Sequence, residues 1–246
     1  MIDTHAHLDA LDDPDEAVQR ARDAGVTRIA SVGTDPVSWA QTLDIVERHA
    51  DVYMAVGLHP HEATPSFDLS ELERLLPHPK VVAVGEIGLD YYRDYAPHDA
   101  QAKLFIYQLG LAKQANLPVV IHNRAADEDT VSILRQWFDG TVVLHCFSSP
   151  ALLDDALEHG WYVSFAGNVT YGNADELRQA ARAVPAELLL TETDCPYLAP
   201  QPVRGRTNEP AYVVHTLAAL AEARGDDPQE LAAQIDANAA VAFGLT

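Results

Sequence analysis

The sequence predicts an α/β fold, a single (β/α)8 TIM barrel occupying residues 1–246 as one domain. Three observations lead to it. Short β-branched runs alternate with amphipathic helical stretches over eight beats, and such alternation means parallel strands, because consecutive parallel strands need a crossover. The chain length of 246 residues matches the roughly 250 residues that a barrel of this type occupies. No Gly-x-Gly-x-x-Gly follows the first strand, which removes the main reason to read an open dinucleotide-binding sheet.

Taken in order, the strands are expected at residues 1–5, 27–32, 52–58, 81–86, 118–122, 141–145, 161–165 and 188–194. The helical stretches between them are 14–24, 37–49, 101–115, 130–138, 151–158 and 175–183. Two more, 210–223 and 229–243, close the chain, and no helix is read between the third and fourth strands. Local signals mark several boundaries. Asp35-Pro36 and Ser149-Pro150 place proline near a first turn, while Gly25 and Gly160 follow helix ends.

Composition narrows the class. A hydrophobic fraction of 48% supplies an ample core. No run approaches the roughly 20 apolar residues of a membrane span, and the opening MIDTHAHLDA lacks the basic and apolar regions of a secretory signal. Cys146 and Cys195 are the only cysteines and are not in paired spacing, which fits a reducing compartment. The expected location is therefore cytoplasmic, with no membrane association and no obligatory protein partner. Net charge is −21, from 37 acidic and 16 basic residues, and Lys80, Lys103 and Lys113 are the only lysines. Proteins that grip many phosphates by charge are basic, so extended duplex binding is disfavoured. An enzyme whose metal ions hold one phosphate in a local pocket is still compatible with that charge. The acidity itself reads as a solubility device or a fit to a salty cytoplasm.

A barrel of this type carries its chemistry at the C-terminal ends of its strands. Located without regard to chemistry, those ends offer His5 and His7, residues 57–61, Glu86, His122, His145 and Asp194. Of the 11 histidines, His5, His7, His59, His61, His122 and His145 lie there; His49, His78, His98, His159 and His215 fall on helices or connections. A lone histidine at a strand end is usually structural, but His, Glu and Asp converging from five strands point to metal. In His5-Ala6-His7 the two imidazoles are at i and i+2 and share a face. Imidazole with carboxylate suits Zn, Mn, Co or Fe, and carboxylate-rich sites also suit Mg. The expected grouping puts His5, His7, Glu86 and Asp194 around one divalent ion, and Glu86, His122 and His145 around a second. Glu86 is the bridge, because a carboxylate has two oxygens and the fourth strand lies between the first and the fifth and sixth. Two ions about 3.5–4 Å apart stabilise both the attacking and the leaving oxygen of a displacement.

Other residues have two open readings. Asp3 and Glu192 share the inward parity of His5 and Asp194. They either orient ligand histidines or serve structure, Asp3 at the barrel floor and Glu192 beside an arginine. The cysteines read as small buried thiols behind strand ends rather than as ligands. No Gly-x-Ser-x-Gly elbow and no P-loop occurs, which excludes serine-hydrolase and nucleotide-cradling readings.

The blocks IDTHAHLD, VGLHPHE, GEIGLDYY, PVVIHNR, VLHCF, SFAGNVTYGNADELR, TETDCPYLAP and RGRTNEP resemble, in order and spacing, the signatures of the TatD family of metal-dependent deoxyribonucleases. The resemblance covers the whole chain. It implies a TIM-barrel hydrolase acting on DNA, commonly from an end, with roles in repair or degradation. It places ligands at His5, His7, Glu86, His122, His145 and Asp194, the set already reached from the strand ends. One departure is His145-Cys146-Phe147-Ser148-Ser149-Pro150, where the family often has glycine in place of Ser149, so the loop beside His145 is expected to differ.

The expected chemistry is hydrolysis of a DNA phosphodiester, at ends or single-stranded segments, by a water activated on two divalent ions (Mg, Mn, Zn or Co). Asp194 and Glu86 are the expected catalytic residues, with Asp194 as proton acceptor. His59, Arg124 and Arg206 are candidates to hold phosphate oxygens; the other reading makes His59 a turn residue and pairs the arginines with carboxylates. Tyr91, Tyr92 and Tyr197 either stack on bases or pack loops. The rival enzyme reading is an amidohydrolase, or more narrowly an aminoacyl-tRNA deacylase, acting on a C–N or carboxyl-ester bond. In that superfamily a modified lysine often stands where this chain has Glu86. A barrel that binds without catalysis would be marked by a missing ligand, and none is missing.

Overall fold

A computed structural model describes residues 1–245, and Thr246, the last residue of the expected domain range, lies outside the described residues. Eight parallel strands form one sheet in sequential order. They are β1 (Ile2–Ala6), β2 (Arg28–Gly33), β3 (Val52–Val56), β4 (Val81–Asp90), β5 (Val119–Arg124), β6 (Val142–Leu144), β7 (Tyr162–Phe165) and β8 (Leu189–Thr191). The helices are α1 (Pro14–Asp23), α2 (Pro36–Arg48), α3 (Ser70–Leu75), α4 (His98–Ala115), α5 (Asp127–Trp137), α6 (Leu153–Glu158), α7 (Asp175–Ala183), α8 (Val213–Arg224) and α9 (Pro228–Phe243). This is the expected (β/α)8 barrel.

Closure falls to the residues after β8. Cys195 bridges Ala6 in parallel, Asp194 N–H donates to the His5 carbonyl at 2.9 Å, and His7 N–H donates to the Cys195 carbonyl at 2.8 Å. Asp3 stitches the same seam, accepting from Thr193 N–H at 2.8 Å and from Thr193 Oγ1 at 2.5 Å. The chain ends that carry His5, His7 and Asp194 are thus fixed to each other.

Helix starts follow their capping chemistry. Asp13, Asp35 and Asp227 each precede a proline at the first helical position and accept backbone N–H groups of the first turn. Helix α5 begins earlier than expected because Asp127, Glu128 and Asp129 suit its positive N-terminal end. Helix α3 was not foreseen. It is six residues long, and Leu72 is its only buried side chain, too little for a periodic signal.

Two strand boundaries differ from expectation, and both shape the site. Strand β4 runs four residues past Glu86, fully buried throughout, and pairs with β5 as far as Asp90 opposite Arg124. Strand β8 stops at Thr191, because Asp194 adopts φ of 55°, incompatible with an extended chain. Gly88 has φ of +142°, and a Cβ there would meet the His122 carbonyl oxygen at 2.0 Å. Glycine therefore permits the close approach that sets the end of β4 against His122. No described helix is long and apolar enough to cross a membrane.

Candidate metal centre

At the C-terminal mouth of the barrel lies an open cavity of about 990 Å3, lined by His7, His59, Glu86, His122, His145 and Asp194 among others. His5 is wholly buried beneath it. All six expected ligands converge there.

Glu86 is the hub. Its Oε1 lies 2.5 Å from His122 Nδ1, 2.7 Å from His145 Nε2 and 3.5 Å from His59 Nε2. Its Oε2 faces the opposite way, 3.6 Å from His5 Nε2 and 3.9 Å from His7 Nε2. Asp194 Oδ1 completes the second set, 3.5 Å from His7 Nε2 and 3.9 Å from His5 Nε2. The two imidazoles themselves are 3.3 Å apart at Nε2.

These spacings test whether a metal fits. Donors bound to one ion at about 2.0–2.2 Å stand roughly 3.3–3.6 Å apart at tetrahedral angles. The set of His5, His7, Glu86 Oε2 and Asp194 Oδ1 lies at or a little beyond that spread, with only long direct contacts between His5 and His7 and between His7 and Asp194. The set of Glu86 Oε1, His122 and His145 has the right donors but is drawn into two direct hydrogen bonds, so it must open to admit an ion. The donor chemistry of both sets suits a divalent cation.

The structure also fixes ring orientation. His7 Nδ1 donates to the Val32 carbonyl at 3.2 Å, and His145 Nδ1 donates to Glu192 Oε1 at 3.1 Å, leaving each Nε2 to face the centre. Glu192 Oε1 also accepts Cys146 N–H at 2.8 Å. Of the two readings for each buried acid, Glu192 is the residue that orients a histidine, and Asp3 serves the seam. His59 Nδ1 accepts His61 N–H at 3.1 Å, which leaves the ring proton on Nε2, pointing at Glu86.

Electrostatics follow from this crowding. Burial alone would raise the Glu86 carboxyl, but the facing imidazoles of His145, His59 and His122 hold it well below the usual carboxylate range. Burial pushes the His59 imidazole down to about 4, so it is neutral at pH 7. Burial would also lower His7, but the Asp194 carboxylate outweighs it and raises the imidazole to about 9. Burial likewise opposes ionisation of Asp194, and the His7 hydrogen bond reverses this, holding its carboxyl below the ordinary value.

The remaining expected residues divide. Arg124 lines the mouth and stacks 4.1 Å from the Tyr92 ring centroid. Arg206 is exposed on a turn whose N–H bonds Val203 and is absent from the lining of the mouth. Tyr91 is occupied structurally, its hydroxyl donating to Asp129 at 2.8 Å and its ring stacked 3.7 Å from His98. Tyr92 and Tyr197 are exposed. Both thiols are free, and neither belongs to a metal-competent group among the described residues. Ser149 sits at φ of −119°, a conformation open to any residue, and its hydroxyl donates to Asp127 at 2.5 Å. The glycine is therefore dispensable at that point.

Sequence reasoning missed Asp90. Its buried carboxylate accepts from His61 at 2.7 Å and lies 3.3 Å from His122 Nε2, so His122 is held between Glu86 and Asp90. The signal was its even spacing from Glu86 along β4, hidden by ending that strand too early. Also missed were Gln101 and Gln108, buried two turns apart on α4. Gln101 bonds Asp90 N–H and its carbonyl, and Gln108 bonds Leu58 N–H and its carbonyl. They pin the end of β4 at Asp90 and the segment that leads into His59.

Comparison with known proteins bears on the fold and the family. Residues 2–244 match the family model described as TatD related DNase. The chain is 42% identical to an uncharacterized metal-dependent hydrolase, TatD, of Mycobacterium tuberculosis, over 100% of this chain and 98% of the relative. It is 38% identical to a protein of Erwinia amylovora named 3'-5' ssDNA/RNA exonuclease TatD, over 95% and 94% of the two chains. The crystal structure of YjjV, a TatD homolog from Escherichia coli, superposes with a TM-score of 0.93 at 32% identity, covering 100% and 98%.

Proposed function

Because the chain belongs to the TatD family of metal-dependent hydrolases, we propose that it hydrolyses phosphodiester bonds of DNA, working from ends or unpaired segments. The observation that carries this reading is the disposition of Glu86, whose two oxygens face two separate donor sets. Such a bridge suits a pair of ions acting on one displacement more than a single structural ion. The Erwinia amylovora relative, named as a 3'-5' ssDNA/RNA exonuclease, supports a single-stranded nucleic acid substrate.

His5, His7, Glu86 and Asp194 would hold one divalent ion, and Glu86, His122 and His145 a second, with Mg, Mn, Zn or Co compatible with the donors. Bound there, the ions would polarise a phosphoryl oxygen and bring the pKa of a water toward neutrality. Asp194 accepts the proton of the attacking water at its carboxylate and returns it to the leaving oxygen. A carboxyl held below its ordinary value is ionised at neutral pH, so its oxygen is vacant for a proton, and the proton it takes is readily passed on. His59, neutral with its proton on Nε2, donates a hydrogen bond to a phosphate oxygen. Arg124 supplies a guanidinium on the same rim. Val32 and Glu192 hold the His7 and His145 rings in the tautomers the centre needs.

The test is metal analysis together with digestion of end-labelled single-stranded and duplex DNA. Two ions per chain and stepwise shortening are expected, both activity and metal content falling in Glu86→Gln and Asp194→Ala. A protein that holds two ions but cleaves no DNA with Mg, Mn, Co or Zn would overturn the phosphodiester assignment in favour of a C–N or carboxyl-ester bond.

A further inference from the structure

The rim of the mouth carries a row of side chains of which only Arg124 enters the reading above. Arg124 lies 4.1 Å from the Tyr92 ring centroid, and Arg93 lies 5.7 Å from Tyr92 and 6.0 Å from Tyr95. Tyr95 in turn meets His61 edge-on at 4.8 Å. The row therefore runs without a break from solvent to the imidazoles beside Asp90.

Three features set it apart from ordinary loop packing. Tyr92 and Tyr95 are each 65% exposed, whereas Tyr91 next to them has both its ring and its hydroxyl engaged. The row is nevertheless fixed, because Tyr92 and Arg93 donate their backbone N–H groups to Asp90 at 3.0 and 2.9 Å. Its register with the centre is thus set by β4. Lastly, of the 13 arginines six carry carboxylate partners among the described residues and seven do not, and of those seven only Arg93 and Arg124 line the mouth. Arg93 and Arg124 have tyrosine rings and no carboxylate partner among the described residues. In a chain of net charge −21, these two are the only arginine or lysine side chains among the described residues lining a mouth that also carries Asp9, Asp35 and Glu62.

Exposed rings spaced between guanidinium groups suit unpaired nucleotides. Every base offers a π-face to an aromatic ring, and arginine meets the phosphates between them. In a duplex those faces are covered by neighbouring base pairs. We propose that Tyr92 and Tyr95, bracketed by Arg93 and Arg124, stack consecutive unpaired nucleotides adjoining the scissile phosphate. The row thereby sets a preference for single-stranded or frayed substrate over duplex. This inference rests on the phosphodiesterase reading above.

The experiment compares hexathymidylate with a blunt duplex of the same length. Variants Tyr92→Ala and Tyr95→Ala should each raise KM for hexathymidylate about tenfold with kcat changed less than about threefold, while Tyr92→Phe and Tyr95→Phe retain the wild-type KM. The preference for single strand over duplex should shrink by the same factor. A tetrahydrofuran spacer in place of one thymidine should cost the wild type a similar factor and cost the matching alanine variant nothing further. Unchanged KM in both alanine variants, or a spacer penalty identical in wild type and variant, overturns the inference. A fall in kcat alone also overturns it, by placing the rings in the chemical step. Hydrolysis of bis(p-nitrophenyl) phosphate by the wild type separates the two ideas. That diester has no strand to stack along, so its cleavage tests the phosphodiesterase reading alone, and failure there removes both.

Discussion

Replacing Glu192 probes the centre without touching a proposed ligand. Its Oε1 accepts two hydrogen bonds, from His145 Nδ1 at 3.1 Å and from Cys146 N–H at 2.8 Å, and the side chain is fully buried. Glu192→Gln keeps an acceptor in place but removes the charge that favours the Nδ1–H tautomer of His145. Glu192→Ala removes both bonds and frees the ring. Loss of such an orienting partner lowers metal affinity by about 10–100-fold, and each tenfold is about 1.4 kcal/mol. The glutamine variant should sit near the low end and the alanine variant near the high end. Competition against a chromophoric chelator with Zn or Mn measures this directly. The loss should fall on the ion sharing His145, leaving the ion at His5, His7 and Asp194 closer to wild type. Thermal melting of the metal-free proteins separates affinity from folding. In Glu192→Ala the unpaired Cys146 N–H is expected to cost about 1–3 kcal/mol. Wild-type affinity for both ions in Glu192→Ala would refute the reasoning, because His145 would then need no partner to be a ligand.

Two further outcomes follow from residues outside the centre. Gln108→Leu leaves the Leu58 N–H and carbonyl unpaired in a buried position; a loss of about 2–4 kcal/mol in urea unfolding is expected, with kcat/KM down about tenfold as the His59 loop loosens. Full activity with full stability would show that the loop is held by other means. Arg22 pairs with Asp51 through two bonds of 2.6 and 2.8 Å, and the guanidinium holds the Asp51 carboxyl below its ordinary value. A depressed carboxyl contributes stability above its unfolded pKa of about 4 and loses it as pH falls through the folded value. Arg22→Ala should therefore cost about 0.5 kcal/mol at pH 7 and nothing measurable near pH 2. A deficit of equal size at both pH values would point to packing instead.

The barrel was legible because its signals are local and repeated. Alternating runs, proline after aspartate at helix starts and glycine after helix ends each declare an element on a scale of a few residues. The convergence of His5, His7, Glu86, His122, His145 and Asp194 also followed from sequence, since closing eight parallel strands brings every C-terminal end to one mouth. Asp90 and the two buried glutamines of α4 were not legible. Their importance lies in partners 11 to 50 positions away, and a polar side chain reads as surface until its burial is known.

By itself, then, the sequence determined the fold, the family resemblance and the set of residues gathered at the mouth. Tertiary structure alone decided how those residues divide. The left-handed Asp194 came to lie beside His5 and His7, and the two Glu86 oxygens came to face opposite donor sets. The same packing assigned Glu192 to His145 and Asp3 to the seam, left Arg206 outside the mouth, and placed Tyr95 with Arg93 on its rim. The physical reason is that strand periodicity tells which face a side chain takes. Which partner it meets there depends on turns, bulges and buried hydrogen bonds formed by residues far apart in the chain.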